Sequence, residues 1–167
     1  GFDARYNRVQ KDRETYTINA LNQTSQLNYD LDGNPTFLNG KKLSYDALDR
    51  LISVEVEGRL ILYSYDSFHR RLVKKIYQEN TLVEEVYFLY DQQNEIGSCN
   101  ASGDILELRV LGEGPAEIGA VAIEIKEQVY IPVQDLQGNV AALHSREGVL
   151  ELYTYTAFGE ELFKEPS

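Results

Sequence analysis

The sequence predicts an all-β fold: consecutive antiparallel β-hairpins that form a curved strip or partial barrel, with no substantial helix. The composition supports strands, because 12 Tyr and 6 Phe with no Trp or Met favour pleated, half-buried surfaces. Hydrophobic residues make up 43% and charged residues 26% of the 167 residues, which indicates a folded chain. A Tyr-Asp dipeptide also recurs, and such internal repeats are typical of arrays of small supersecondary units.

The recurring dipeptide is predicted to end one strand and begin a turn. The aromatic ring belongs to the packed face of the strand, the Asp side chain bonds to turn amides, and Gly or Asn supplies a positive φ. Each unit is therefore predicted to be one hairpin. The four copies, 16, 20 and 25 residues apart, are Tyr29-Asp30, Tyr45-Asp46, Tyr65-Asp66 and Tyr90-Asp91. Phe2-Asp3 and Tyr155-Thr156 are variants, and Asp135-Leu136-Gln137-Gly138-Asn139 repeats the turn without the Tyr.

Two-residue turns are predicted at the other end of these hairpins. Asn39-Gly40 is the strongest short hairpin signal in the chain, and Glu57-Gly58 gives a register in which one face is almost wholly apolar. The predicted pairs at these turns are Phe37 with Lys42, Leu38 with Lys41, Val54 with Ile61, and Val56 with Arg59.

Further turns are predicted at Glu79-Asn80 and Glu147-Gly148. The first turn places Lys opposite Glu and apolar residues opposite apolar residues, and both kinds of pair support its register. Its predicted pairs are Lys74 with Glu85, Lys75 with Glu84, Val73 with Val86, and Ile76 with Val83. The second places Leu143 opposite Leu152 and His144 opposite Glu151.

The regularity of the repeat divides the chain into three predicted regions. Residues 1–110 are repeat hairpins, 111–132 form an irregular insert, and 133–167 form a final hairpin and tail. The less regular turns lie near Asp12-Arg13 and Ala101-Ser102-Gly103. The insert begins with Gly112-Glu113-Gly114-Pro115 and holds a strand pair, 121–125 and 128–131, that turns at Lys126-Glu127.

These motifs resemble the YD repeats of the Rhs family over nearly the whole chain. The series that carries the resemblance is Tyr45-Asp46-Ala47-Leu48-Asp49-Arg50-Leu51, Tyr65-Asp66 through Arg71, and Tyr90-Asp91-Gln92-Gln93-Asn94-Glu95-Ile96. Asp135-Leu136-Gln137-Gly138-Asn139-Val140, followed by Tyr155-Thr156-Ala157-Phe158-Gly159-Glu160, is similar to two signatures of the Rhs-associated core, Asp-x-x-Gly-[Ser/Asn]-[Val/Ile] and Tyr-Asp-x-Phe-Gly-Glu.

The resemblance implies a structural role without catalysis. YD repeats form a β-strip that spirals into a hollow shell, which encloses a C-terminal toxic polypeptide in polymorphic toxins and toxin-complex subunits, and a related barrel occurs in teneurins. The Asp-Pro-x-Gly-Leu-like segment that releases the cargo in toxin members has no counterpart here, so no catalytic residue is carried over. The implied partner is the remainder of the parent polypeptide, and the implied location is secreted or on a bacterial cell surface.

Charge and cysteine content narrow the classes of partner. A net charge of −11 disfavours nucleic acid and anionic membranes, and no apolar run approaches the roughly 20 residues of a membrane span. Cys99 is the only cysteine, so no disulfide is expected within the chain. The start at Gly1 lacks both an initiator Met and a signal-peptide pattern, which suggests excision from a longer polypeptide.

No catalytic, cofactor-binding or metal-binding residue is predicted, and no cofactor. Four repeat carboxylates could be imagined as calcium ligands, but they are spread over successive hairpins, so turn capping is predicted instead. These are Asp46, Asp66, Asp91 and Asp135. His69 and His144 have no partner motif for a metal or a catalytic triad. Cys99 is predicted to be a small buried filler.

Other patterns also favour structural interpretations. Glu84-Glu85 and Glu160-Glu161 are adjacent on strands and point to opposite faces, so neither pair can act jointly on a substrate. Gly112-Glu113-Gly114 lacks the context of a dinucleotide site and is predicted to be a turn. Asn22-Gln23-Thr24 and Asn100-Ala101-Ser102 fit a glycosylation sequon, which matters only in a eukaryotic secretory host.

The tyrosines leave one alternative function open. Rows of exposed Tyr on a sheet can bind carbohydrate or protein, as in a surface adhesin, whereas packed Tyr would form the inner face of a shell. The open edges of an excised strip also predict an edge-to-edge or swapped homodimer. An enzyme, such as a hydrolase, is disfavoured because no nucleophile motif is present.

Overall fold

The computed structural model describes residues 1–4, 7–11, 13–112, 119–156 and 159–166. In these ranges the chain forms strands and no helix, which confirms the predicted all-β class of consecutive antiparallel hairpins. No helix long and apolar enough to cross a membrane occurs in the described part of the chain. The motif segments Asp12, 113–118 and Ala157-Phe158 lie outside the described residues.

The strands follow one another with short connections. They are β1 (Gln10–Lys11), β2 (Glu14–Thr15), β3 (Phe37–Leu38), β4 (Lys41–Tyr45), β5 (Leu51–Val56), β6 (Arg59–Tyr65), β7 (Arg71–Gln78), β8 (Thr81–Asp91), β9 (Asn94–Asn100), β10 (Ile105–Leu111), β11 (Ala120–Ile125), β12 (Gln128–Gln134), β13 (Val140–Ser145), β14 (Gly148–Tyr155) and β15 (Glu161–Pro166). The chain divides into two compact units, Gly1–Glu85 and Val86–Ser167, and the division falls within β8.

In the first unit, β3 to β7 pair in chain order, each antiparallel to the next. The predicted registers at both early turns are confirmed: Phe37 lies opposite Lys42, and Val54 lies opposite Ile61. Asn39, Gly40, Glu57 and Gly58 all have positive φ, between 49° and 77°, as a type I′ turn requires at both central residues.

A cross-strand row of apolar side chains holds this unit together. The registers of β4 to β7 align Leu43, Val54, Ile61 and Ile76 on one face, and Val54 is only 7% exposed. Directly opposed apolar pairs of this kind are the main unit of stabilisation in a sheet. The row explains why four β-rich segments separated by polar turns pair in this register.

The hairpin at Glu79-Asn80 forms as predicted, with φ of 49° and 67° at the turn, but its ion pairs differ. The predicted partners were Lys75 with Glu84 and Lys74 with Glu85. Instead, the ammonium of Lys74 lies 2.9 Å from Glu84 and that of Lys75 lies 2.8 Å from Glu85. Because adjacent strand residues point to opposite faces, these ion pairs do not fit the predicted facing pairs, and the predicted matching of the charges is wrong.

In the second unit, β9 to β15 also pair in chain order. The strand pair at Lys126-Glu127 is present, with Ile123 opposite Tyr130 and Ile125 opposite Gln128. The turn residues have φ of 49° and 65°. This turn forms although neither residue is the Gly or Asn that usually occupies it.

The last predicted hairpin is wrong by one residue. Its turn lies at Arg146-Glu147 rather than Glu147-Gly148, so His144 faces Val149 and Leu143 faces Glu151. The reason is local: the Ser145 hydroxyl accepts a hydrogen bond from the Glu147 amide at 3.1 Å and so begins the turn one residue earlier.

Few side chains are deeply buried in either unit. The buried hydrophobic residues in the described part of the chain are Val54, Val86 and Ala142, and no described side chain is fully buried. Ten of the eleven described tyrosines are half-buried, and Tyr87 is exposed. Sheets normally bury one face against a second layer, so much apolar surface is left for a partner to cover.

Candidate functional site

The repeated feature of this chain is a five-residue turn that we call a capped turn. In the turn Asp46 to Arg50, one carboxylate oxygen of Asp46 accepts hydrogen bonds from the backbone N–H groups of Leu48 and Arg50 at 2.9 and 3.0 Å. The other oxygen accepts one from the Arg50 side chain at 2.7 Å. The fourth residue, Asp49, takes a positive φ of 58°. The side chain thus satisfies amides that the turn would leave unpaired.

The same turn recurs in both units with a variable first residue. In every case the first side chain accepts the N–H of the fifth residue, and the first N–H bonds to the fifth carbonyl. The capped turns are 19–23, 30–34, 46–50, 66–70, 100–104 and 135–139. They include the predicted caps Asp46, Asp66 and Asp135, and also two led by Asn. The first and fifth residues of 3–7 and 156–160 make the same bonds, although some residues between them lie outside the described ranges.

The turn predicted near Ala101-Ser102-Gly103 is present, but sequence reasoning missed its cap, Asn100, and missed the turn led by Asn19 altogether. The Asn100 oxygen accepts the N–H groups of Ser102 and Asp104, both at 2.9 Å, and its amide donates to the Asp104 carboxylate at 2.8 Å. The turn 135–139 has Asp at the first position and Asn at the fifth, whereas this turn has Asn first and Asp fifth. The signal was available: an Asx residue, an Asn or Gly three residues later (Asn22 or Gly103), and a polar partner at the fifth position.

Asp91 is the repeat carboxylate that does not cap a turn. Only two residues, Gln92-Gln93, separate β8 from β9, and Asp91 pairs with Asn94 inside the ladder. A two-residue connection offers no N–H groups at a third and a fifth turn position. The Asp91 carboxylate therefore makes none of the capping hydrogen bonds found elsewhere in the described chain. The predicted capping role is therefore wrong for this residue.

Adjacent capped turns of the first unit bond to one another. The Asn34 amide donates to the Asp49 carboxylate at 2.7 Å. The Arg50 guanidinium donates to the Asp66 carbonyl at 3.0 Å and lies 5.0 Å from the centre of the Tyr65 ring, within range of a cation–π contact. The turns are thus joined along one edge of the unit, and we call this row the turn ladder.

Two repeat tyrosines, Tyr65 and Tyr155, bond to the residue that follows the preceding capped turn. The Tyr65 hydroxyl donates to the Leu51 carbonyl at 2.8 Å, and the Tyr155 hydroxyl donates to the Val140 carbonyl at 3.0 Å. In both cases the acceptor directly follows the previous capped turn. The strand register shifts just before each of these tyrosines, as at a β-bulge, which re-aims side chains.

Removing the cap should loosen a turn without unfolding the strip. We expect Asp46→Ala to speed amide exchange at Leu48 and Arg50 about tenfold, because both N–H groups lose their acceptor. Asp46→Asn should retain protection, since Asn100 performs the same capping with an amide. Asp91→Ala is the matched control in a repeat dipeptide and should change nothing. Equal exchange in the Ala and Asn variants would contradict the capping role.

The capping carboxylates also make stability depend on pH. The pKa of Asp46 is lowered chiefly by the hydrogen bond from the Arg50 side chain, and that of Asp135 chiefly by the bond from the Asn139 side chain. A lowered folded pKa contributes stability that is complete above the unfolded pKa of about 3.9 and is lost as pH falls through the folded pKa.

We therefore expect the midpoint of urea unfolding to fall as the pH drops below about 4. The double variant Asp46→Asn/Asp135→Asn should show a shallower fall, because an amide caps without titrating. The comparison is made by urea titrations at a series of pH values in constant salt. Identical slopes for the variant and the natural chain would refute the assignment of the acid sensitivity to these two caps.

The histidines and the cysteine occupy different turns and strands. His69 is the fourth residue of the capped turn 66–70, where its φ is 65°. His144 faces Ile131 on one side and Val149 on the other, so the predicted pairing with Glu151 is wrong. Cys99 is half-buried opposite Tyr87. Among the described residues no group of three or more His, Cys, Asp or Glu could hold a metal ion.

The comparisons with known proteins agree with this geometry. No family model and no curated protein sequence matches the chain. Solved structures of Tc toxin chains do: TcdB2–TccC3–Cdc42 superposes with a TM-score of 0.64 at 16% identity, over 91% of this chain and 9% of that one. This is the fold of Rhs-repeat shell proteins.

Two further structures share the Rhs-repeat fold. TcdB2–TccC3–TEV gives a TM-score of 0.60 at 18% identity, over 86% of this chain and 8% of that one. The Photorhabdus luminescens Tc holotoxin pore with a TccC3 mutation gives 0.60 at 17% identity, over 83% and 7%. The chain thus spans less than a tenth of each of these proteins. The resemblance inferred from the repeats is confirmed at the level of the fold.

Proposed function

We propose that the chain is a non-enzymatic structural segment of an Rhs/YD-repeat shell that encloses or displays a C-terminal toxin or effector. The observation that carries the proposal is the turn ladder, which fastens neighbouring hairpins of the first unit along one edge. Such nearest-neighbour coupling lets a strip of small units extend without a central core. The likeness in fold to Tc toxin chains supports the same role.

The use of the polar side chains fits a wall rather than a catalyst. The carboxylates of Asp46, Asp66 and Asp135 are engaged in capping hydrogen bonds, and the hydroxyls of Tyr65 and Tyr155 bond to backbone carbonyls. Groups held in this way stabilise the backbone and are not presented to a substrate. The proposal places the protein in the secreted or surface fraction of a bacterium and makes the rest of the parent polypeptide its partner.

The domain organisation forms part of the proposal. Residues 1–110 are the repeat hairpins, 111–132 an irregular insert, and 133–167 the final hairpin and tail of an Rhs-core-like segment. The parent shell is proposed to continue the strip. An edge-to-edge or swapped homodimer is the predicted behaviour of the isolated chain, and light scattering at several concentrations tests it.

Protease protection in the parent polypeptide tests the shell. The region downstream of residue 167 should resist a protease in the intact parent and become sensitive when the strip is opened in denaturant. A parent with Asp46→Ala and Asp66→Ala should expose it at a lower denaturant concentration, whereas Asp91→Ala, which removes no cap, should behave like the natural protein. Cleavage of that region at the same rate in the folded and the unfolded parent would refute enclosure.

Saccharide binding is a second candidate, favoured by one cleft in the second unit. The cleft has a volume of about 590 Å³ and is lined by Tyr153, Tyr155, Gln137 and Thr154 among others. The two rings are nearly parallel, with centroids 6.3 Å apart, and flat aromatic surfaces beside a few polar groups suit a polar ring with an apolar face. Tyr fluorescence titrated with a glycan panel tests this function. Binding should weaken in Tyr153→Ala and persist in Tyr87→Ala.

A further inference from the structure

The two units carry very different charge. Residues 1–85 have 13 acidic and 12 basic side chains, whereas residues 86–167 have 14 acidic and 4 basic. The formal charge is therefore −1 for the first unit and −10 for the second, which together give the −11 of the chain. A charge of this size creates a potential that attracts cationic partners and repels anionic ones. Nearly all of the negative field of this chain belongs to the second unit.

One face of the second unit is also aliphatic and uncovered. Directly opposed residues share a face, and the registers align Val110 with Ala122, Ile131 with His144 and Val149, and Val133 with Ala142 and Leu152. Leu108 faces Glu124, which faces Val129. We call this set the aliphatic face. Its exposed members are Ile105, Leu108, Val110, Val129, Ile131, Val133, Val149 and Leu152, between 37% and 60% exposed.

The aliphatic face is as large as the largest apolar patch of an ordinary monomer, and such patches often serve in binding. Its eight exposed side chains present roughly 600 Å² by ordinary residue areas, at the upper end of the ~300–600 Å² typical for the largest apolar patch of a monomer. The titratable residues that the registers of β9 to β13 place on this side are Cys99, Glu124 and His144. The opposite face holds the ion pairs of Arg109 with Glu95 and Glu107 instead.

We propose that the aliphatic face binds a polypeptide segment that carries apolar and basic side chains. The apolar side chains of the segment would cover the valines, leucines and isoleucines, and its Lys or Arg residues would meet the negative field of the unit, including Glu124 on the face itself. A second copy of the chain is the poorer occupant, because it would bring −10 against −10. The inference rests on the proposed function for the source of the segment, which is the enclosed part of the parent polypeptide.

Peptide binding to the purified 167-residue chain tests this inference without the shell. The probe is a labelled, unstructured peptide of Leu, Lys and Ser, compared with one in which Glu replaces Lys and one in which Ser replaces Leu. Fluorescence anisotropy should show binding at least about tenfold tighter for the Leu/Lys peptide than for either relative. Raising NaCl from about 0.05 M to 0.5 M should weaken it.

A matched pair of variants locates the binding. Val129→Thr/Ile131→Thr keeps β-branched side chains but makes the aliphatic face more polar, and should weaken binding about tenfold. Val121→Thr/Ile125→Thr makes the same change at similarly exposed positions, 46% and 41%, on the other face of β11, and should bind as the natural chain does. Circular dichroism checks that both variants retain their strands.

Three results would overturn the inference. They are equal affinity for the Lys and Glu peptides, equal loss in the two variants, and a dimer in light scattering that only the aliphatic-face variant abolishes. The last would assign the face to a second copy. None of the three bears on protease protection in the parent, so failure here is separate from failure of the shell proposal.

Discussion

Val54→Asp should destabilise the chain by about 3–5 kcal/mol, because it leaves a charge or a protonated carboxyl buried without a partner. Val54 is 7% exposed and lies between Leu43 and Ile61 in the apolar row of the first unit. No donor in that row can satisfy a carboxylate. The free energy of unfolding, from urea titration followed by circular dichroism, measures the effect.

The matched control for this variant is Val83→Asp. Val83 belongs to the same unit and is 57% exposed, so water solvates the new carboxylate and the loss should stay within about 0.5–1 kcal/mol. A loss at Val83 as large as that at Val54 would mean that the apolar row is not the core of the unit.

Gly97→Ala should lower the free energy of unfolding by about 2–3 kcal/mol. Overpacking causes the loss, and the better strand propensity of Ala offsets part of it. A Cβ at this position would overlap the backbone oxygen of Glu107 and lie 3.2 Å from the Cα of Leu108. Backbone atoms of a paired strand cannot swing aside, so β9 and β10 would have to separate. Urea titration gives the magnitude, and amide exchange in β10 should show the loss locally.

Gly119→Ala is the control for this prediction. Its Cβ would meet only the amide end of the Gln134 side chain, which can rotate away, so the cost should be small. If Gly97→Ala were as well tolerated as Gly119→Ala, the close approach of β9 to β10 would not exist in solution.

Much of the fold follows from local chemistry in the sequence. Asn39-Gly40 and Glu57-Gly58 fix their hairpins because two residues with positive φ set the register of everything that follows. The Lys126-Glu127 turn could be placed only by the alternation around it, since neither residue favours positive φ. Asp46, Asp66 and Asp135 could be identified as caps from the Tyr-Asp and Asp-x-x-Gly patterns.

The differences arise where two local signals compete. Gly148 suggested a turn at 147–148, but the Ser145 hydroxyl accepts a hydrogen bond from the Glu147 amide, and the turn lies one residue earlier. Tyr90-Asp91 matched the repeat, but the next strand begins too soon for a capped turn. The aliphatic face could not be assigned in advance, because it depends on register shifts in β9 to β14 that no residue type announces.

In β4 to β7 the capped turns and the two-residue turns lie at opposite ends of the strands, and hydrogen bonds join the capped turns 30–34, 46–50 and 66–70. A hairpin can therefore gain or lose residue pairs at its far tip while its fastened end stays in place. Starts of successive capped turns lie 16 residues apart from Asp30 to Asp46 and 20 apart from Asp46 to Asp66, yet both steps keep a link to the next turn. Changes in hairpin length therefore hide any fixed repeat period in the sequence. In such chains the contacts between capped turns reveal relatedness more clearly than sequence identity does.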